Sequence, residues 1–282
     1  MKLILLAAFA FFLIQLHHTG EIVKLINPKY VLMSQVAAGV IILLFFVQLG
    51  RVWQGNADEH ASCAPGCTED HDHKQSYVKR CVSYLVLLFP LCTGFGLDLT
   101  SLDATIAKNK GSLLPQGENA NQEEPSSKPP TLDENKPIPN TNYLTDEEYE
   151  QKMGLLNDEV IEMNEDIFAS YYHEIEENLH QYKGKTIQMK GFVYKEEGLD
   201  SNQLVVARFL ITHCVADARV IGWLSESDQA VNFSEDTWVE VRGEIDVGEY
   251  NGVELPIIQI KEINPIPEPT NPYVFPILTK VL

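Results

Sequence analysis

Two cysteines, three histidines and several carboxylates crowd into the stretch EHASCAPGCTEDHDH, residues 59–73. Thiolates and imidazoles are the ordinary ligands of zinc and similar divalent ions. His60, Cys63, Cys67, His71 and His73 present them as Cys-x3-Cys-x3-His-x-His with one histidine upstream. This comes close to structural-zinc spacings without matching one, and Ala64-Pro65-Gly66 is a turn that would bring the sulfurs together. A redox pair is a second reading, although Cys-x3-Cys is not the usual dithiol spacing. A solvated connector between apolar segments is the third. A divalent ion such as zinc is the cofactor that the metal reading implies.

A second constellation, His213, Cys214 and Asp217, lies in Ile211–Ala218. A thiol, an imidazole and a carboxylate at a strand end could hold a metal or a small polar ligand. Against this, Cys214 reads equally as a buried strand thiol, His213 as a solvent-facing side chain and Asp217 as a turn former. Cys214 has no second cysteine C-terminal to residue 92, which excludes an intrachain disulfide framework there. No P-loop, dinucleotide fingerprint or hydrolase constellation is present, and no enzymatic activity is expected.

The elements that must position these residues differ sharply along the chain. Residues 1–99 carry seven basic and seven acidic side chains, residues 100–182 five against eighteen, and residues 183–282 nine against fifteen. The net charge of −19 therefore belongs to the C-terminal two thirds. The apolar runs belong to the first third, and about three transmembrane helices are expected there, near 3–19, 30–49 and 80–98. Loop 50–79 would join the last two. Its Arg51, Lys74, Lys79 and Arg80, with Lys2, place it in the cytoplasm by the positive-inside rule. Cys63 and Cys67 would then stay reduced. Pro90, Gly94 and Gly96 give the third segment a kinked, small-residue face suited to close approach of another helix, a candidate partner interface.

Residues 100–142 read as a disordered, acidic, Pro-rich linker with little to bury. An exported α+β domain is expected over 143–282. Thr145 and Glu148 have capping-box spacing at the start of a short helix, and Val160–Met163 suggests a short strand. Asn164 is a second candidate cap, ahead of a helix whose Ile167, Phe168, Tyr171, Tyr172, Ile175 and Leu179 recur at three- and four-residue steps. From Lys185 the period changes to two, and five strands suggest a five-stranded, OB-like β-barrel over 183–264. Asn251-Gly252 marks a hairpin, and the tail 264–276, with its prolines, is expected to lie extended over the surface. A phosphate-binding groove needs clustered Lys and Arg. This region is net negative with isolated arginines, so nucleic acid is excluded as a partner.

Several strings carry a family resemblance: Thr19-Gly20, Phe89-Pro90-Leu91 with Gly94, AKNKG at 107–111, Gly191-Phe192-Val193-Tyr194, Arg208–Thr212, Cys214–Ala218, Trp238–Val241 and Asn271-Pro272-Tyr273. In combination they resemble the YcgQ-type family of bacterial membrane proteins. That resemblance implies one subunit of a two-component membrane permease, whose partner is a larger polytopic permease of YcgR type. It implies a multi-pass protein of the bacterial cell membrane with an extracytoplasmic C-terminal domain, and it names no catalytic residue. Where the family often carries a second cysteine, this chain has His213. That departure weakens a dithiol role and leaves metal binding open. Two roles follow: an accessory subunit in transport of a small solute such as an amino acid or a metal ion, or a membrane-anchored module that binds or senses a ligand.

Overall fold

The computed structural model describes residues 2–55, 77–96, 101–111, 113–114, 143–196 and 198–280. They fall into two units, one of Met1–Leu25 with Tyr30–Thr100 and one of Ile26–Lys29 with Ser101–Leu282.

The first unit is helical: α1 is Lys2–Thr19, α2 Val31–Gly55 and α3 Tyr77–Gly96. The expectation of about three transmembrane helices is corrected here. Among the described residues one helix, Pro28–Trp53, is long and apolar enough to cross a membrane. The apolar part of α1, Leu3–Thr19, and that of α3, Tyr84–Gly94, are shorter. Length is the reason. At about 1.5 Å per residue, 17 residues rise roughly 26 Å, short of the ~30 Å hydrocarbon core. In α3, Lys79 and Arg80 occupy the opening turn, which leaves still less apolar length. Only 6% of its apolar stretch is buried, so Leu32, Val36, Leu43 and Phe46 of α2 need a lipid or protein surround. Within this unit α1 packs on both α2 and α3, and His17 Nε2 shares a hydrogen bond with Ser34 Oγ at 3.2 Å.

The second unit opens with α4, Ala104–Asn109, inside the stretch read as linker. Asp103 caps it through Ile106 N–H, and Ala104 and Ala107 are buried. Strand β1, Tyr143–Thr145, leads into α5, Asp146–Gly154, through the capping box that the sequence predicts at Thr145 and Glu148. Strand β2 is Val160–Glu162, followed by α6, Phe168–Glu177, and α7, Leu179–Tyr182. Asn164 does not cap α6. The cap position is Ile167, which makes no side-chain bond, and Asn164 contributes only its carbonyl to Ile167 N–H.

The remaining strands are β3 (Thr186–Tyr194), β4 (Gln203–Leu210), β5 (Arg219–Glu226), β6 (Trp238–Tyr250), β7 (Val253–Pro265), β8 (Tyr273–Val274) and β9 (Leu278–Lys280). The expected five-stranded OB-like barrel is corrected to a seven-stranded mixed sheet in the order β2-β3-β6-β7-β5-β4-β8, with β3 also pairing β4. The two added strands pair in parallel, Val160–Glu162 on Thr186–Gln188 and Tyr273–Val274 on Phe209–Leu210. The first falls in the short strand expected at Val160–Met163, but nothing local places it in this sheet. The second has two residues and shows no alternation that a pattern could catch; its partner, supplied from far along the chain, makes it a strand. For the same reason Tyr273 and Val274 are buried within a tail expected to lie over the surface. A separate parallel pair joins β1 to β9.

The sheet curls because β3, besides carrying β2, pairs with both β6 and β4. Thr186–Phe192 pairs with β6, and Phe192–Tyr194 also pairs with β4. Side chains are absent beside this junction: Gly191 and Gly222 approach Ala207 from its two neighbouring strands. The β6–β7 hairpin turns at Asn251-Gly252, whose positive φ values of 50° and 84° suit a type I′ turn. Two apolar clusters fill the faces. One packs Phe168, Tyr171 and Ile175 of α6 against Ile187, Trp223 and Val241. The other joins Ala104 and Ala107 to Phe192 and Phe209, whose rings stack at 5.2 Å.

Candidate functional site

The loop candidates His60, Cys63, Cys67, His71 and His73 lie outside the described residues. Among the described residues no group of three or more His, Cys, Asp or Glu side chains could hold a metal ion.

His213, Cys214 and Asp217 are brought together, in a tight structural turn. Asp217 Oδ2 accepts from His213 N at 2.9 Å, His213 Nδ1 at 2.9 Å and Cys214 N at 3.4 Å, and Oδ1 accepts from Thr212 N at 3.1 Å. Both oxygens are thus engaged in closing the 3₁₀ turn Val215–Asp217. Partial burial works against the charged carboxylate, but the bonds from His213, Cys214 and Thr212 outweigh it and hold Asp217 below the ordinary aspartate value. The turn in turn receives a segment that sequence reasoning missed. Asn27 is fully buried. Its Nδ2 donates to the carbonyls of Ile211 and Thr212 at 3.2 and 3.0 Å, its backbone N–H donates to His213 O at 2.9 Å, and Ile26 bridges Cys214. Asn-Pro reads locally as a turn, and nothing near it in sequence indicates a partner about 185 residues away.

A pH dependence follows with a definite sign. A depressed carboxylate contributes stability that is complete above its unfolded value, about 3.9, and is lost as pH falls through the lower folded value. Full-length protein in detergent should therefore lose unfolding free energy below about pH 4. Asp217→Asn should be less stable at pH 7 and should show a flatter acid limb in denaturant titrations followed by tryptophan fluorescence.

Pro90 and Gly96 fall within α3, and Gly94 faces α1: a Cβ placed there would meet the Phe12 ring at 2.5 Å. The small residue at 94 thus serves packing inside this unit.

The second unit also holds a cavity of about 820 Å³, within the size range of small-molecule pockets. Strands β2, β3 and β6, the turn after β2 and the C-terminal tail supply most of its lining, with Leu144 of β1 and Lys152 of α5. The β2–β3 register sets Glu162 opposite Gln188, and the β3–β6 register sets Lys190 opposite Glu240. Gln188 and Lys190, two apart on one strand, share a face. Gln188 Nε2 donates to Glu240 Oε1 at 3.3 Å, and Lys190 Nζ lies 3.7 Å from the same oxygen. The turn after β2 carries Glu165 and Asp166 to the rim, and Asp166 pairs with Lys152 at the end of α5. Leu144, Phe275 and Ile277 add an apolar wall.

Behind the rim sits Arg208, 1% exposed. Its guanidinium donates to Asn271 O at 2.8 Å and Lys190 O at 3.3 Å, faces Glu165 at 3.7 Å and lies 5.1 Å from the Trp238 ring centre. Burial pulls its proton affinity below the ordinary arginine value, and Glu165 opposes that. An arginine that reads as isolated in sequence therefore ties strand β3, the post-β2 turn and the C-terminal tail around one cavity. No sequence signal could have found this constellation, because its members come from five separated segments.

The DUF1980 N-terminal domain matches residues 1–113 and the DUF1980 C-terminal domain matches residues 140–276. The UPF0703 protein YcgQ of Bacillus subtilis is 29% identical over 290 residues, spanning 97% of this chain and 98% of its own length. A Streptococcus mutans protein named "Putative two-component membrane permease complex subunit" is 26% identical over 265 residues, spanning 91% of this chain and 92% of its own.

Proposed function

The chain belongs to the YcgQ-type family, and from that premise we propose that it is the membrane-anchored accessory subunit of a two-component permease. The observation that carries this reading is the near end-to-end similarity to the Streptococcus mutans protein that bears that name. The exposed apolar helix α2 supports membrane attachment, since a surface of that size stays soluble only when lipid or protein covers it.

In this proposal the partner is a polytopic permease subunit of YcgR type, and the role of this chain is non-enzymatic. Its acidic second unit faces outside the cytoplasm, where it meets a small solute. The cavity favours a second reading, an anchored module that binds a ligand without a transport partner.

Co-purification separates the two. Tagged full-length protein, extracted from native membranes in mild detergent, is expected to bring down a polytopic membrane protein in near-stoichiometric amount. Deleting either gene, or both, should then produce the same transport defect. Recovery of the chain alone, with a normal transport profile in the single deletion, would favour the anchored module instead.

A further inference from the structure

The charges around the cavity are unevenly matched. Asp166 pairs with Lys152, Glu240 lies against Lys190, and Glu165 faces the buried Arg208. Each basic group on or behind the wall thus has its own carboxylate. Glu162, on the same wall, has no cationic partner among the described residues.

This arrangement discriminates by sign. An incoming anion must displace a carboxylate from Lys152, Lys190 or Arg208 before it gains anything. An incoming cation meets Glu162 directly and adds the missing charge. The Glu162 backbone is held by the β2–β3 pairing and by Met163 N–H on Gln188 O at 2.9 Å. The carboxylate therefore projects from a fixed strand end. Beside it, half-buried Leu144, Phe275 and Ile277 offer apolar surface. A compact metal ion would make no use of that wall, and no group of three metal-ligating side chains stands there.

We infer that the cavity binds a small organic ammonium compound, its charged nitrogen on Glu162 and its apolar body against Leu144, Phe275 and Ile277. The inference rests on the permease reading for its physiological meaning, since it names the solute class that the accessory subunit would present. The shared chemistry is a protonated primary amine, which a simple amine and an amino acid both carry.

Three probes with one aromatic body test it: 2-phenylethylamine as the cation, phenylalanine as the zwitterion and 3-phenylpropionate as the anion. Each is titrated calorimetrically into full-length protein in nanodiscs at low ionic strength. The amine should bind most tightly and the anion least. The zwitterion should fall between them, and a zwitterion tighter than the amine would overturn the discrimination by sign. Glu162→Gln should weaken the amine at least tenfold without altering the thermal unfolding midpoint, and Glu162→Lys should reverse the order of cation and anion. Glu268→Gln, outside the cavity, should change nothing.

Equal binding of the three probes, no binding by any of them at millimolar concentration, or an unaffected Glu162→Gln variant would overturn the inference. The permease reading stands or falls separately. A co-purifying partner with no amine binding defeats only the ligand assignment, and amine binding by a chain that is always recovered alone defeats only the permease role.

Discussion

Replacing Gly222 with alanine should cost the second unit about 3 kcal/mol or more, a large fraction of the stability of an ordinary domain. The first atom added there would strike the carbonyl oxygen of Val206 and come within 2.8 Å of Ala207 Cα. Both obstacles are backbone in the neighbouring strand, so no rotamer change relieves them. Gly191 presses on Ala207 from the other side, where a Cβ would lie 2.7 Å from Ala207 O. Strand β4 therefore cannot retreat from one clash without entering the other. Gly154 is the control. It has helical φ of −60° and open space around it, so Gly154→Ala should be neutral or stabilising by about 0.4–1 kcal/mol. Urea unfolding of full-length protein, followed by the fluorescence of Trp223 and Trp238, measures both. A Gly222→Ala protein with an unchanged midpoint would refute the close three-strand packing at Ala207.

The second large effect is expected at Arg208. Truncation to alanine removes two hydrogen bonds, to Asn271 O and Lys190 O, takes the cation from Glu165 and empties a volume walled by Trp238 and Phe168. Stranded part-buried acceptors, a lost charge pair whose Glu165 side is 40% exposed and the emptied volume together cost about 2–4 kcal/mol. Arg208→Met keeps much of the volume and abolishes the same bonds, so its stability loss should be roughly half as large. Both variants release Asn271 from strand β4, and the tail holding Tyr273 and Val274 should become open to protease. Limited proteolysis with mass-spectrometric mapping reads that directly. If Arg208→Met unfolds no earlier than the parent protein, packing rather than the polar links holds the tail.

Both effects show how differently the two levels of the molecule could be read. Where signal and partner are neighbours in sequence, the reading held. The capping box of Thr145 and Glu148 needs residues three apart, and the Asn251-Gly252 turn needs backbone freedom at two adjacent positions. The apolar face of α6 follows from one helical repeat. Such features have their causes inside a few residues, so sequence alone determined them. The resemblance to the YcgQ-type family was likewise carried by short strings.

Asn164 shows the limit of local reading. It has the chemistry of a cap, but the Glu162–Met163 backbone is already held on β3, and α6 starts at Phe168 without a side-chain cap. Membrane crossing was overread for a related reason. Apolar character was visible in all three N-terminal segments, but uninterrupted length decides whether a helix can span, and only Pro28–Trp53 has it among the described residues.

Tertiary structure alone decided the rest. Tyr273–Val274 becomes a strand because β4 offers its edge in parallel, and the short strand expected near Val160 joins the same sheet by pairing in parallel with β3, so seven strands stand where a five-stranded barrel was expected. Asn27 is buried because the turn at Ile211–His213 presents carbonyls to it from the far end of the chain. His213, Cys214 and Asp217 meet as expected of near neighbours, and the backbone N–H groups of residues 212–214 bond to the Asp217 oxygens and close a turn. The cavity is the fullest case. Lys152, Glu162, Lys190, Arg208 and Glu240 are ordinary charged residues in sequence, and the sheet gathers them around one volume and matches all of them except Glu162. Residue types set which charges are available. Strand register and the burial of Arg208 decide which of them meet, because a charge finds its partner only after the backbone has paired.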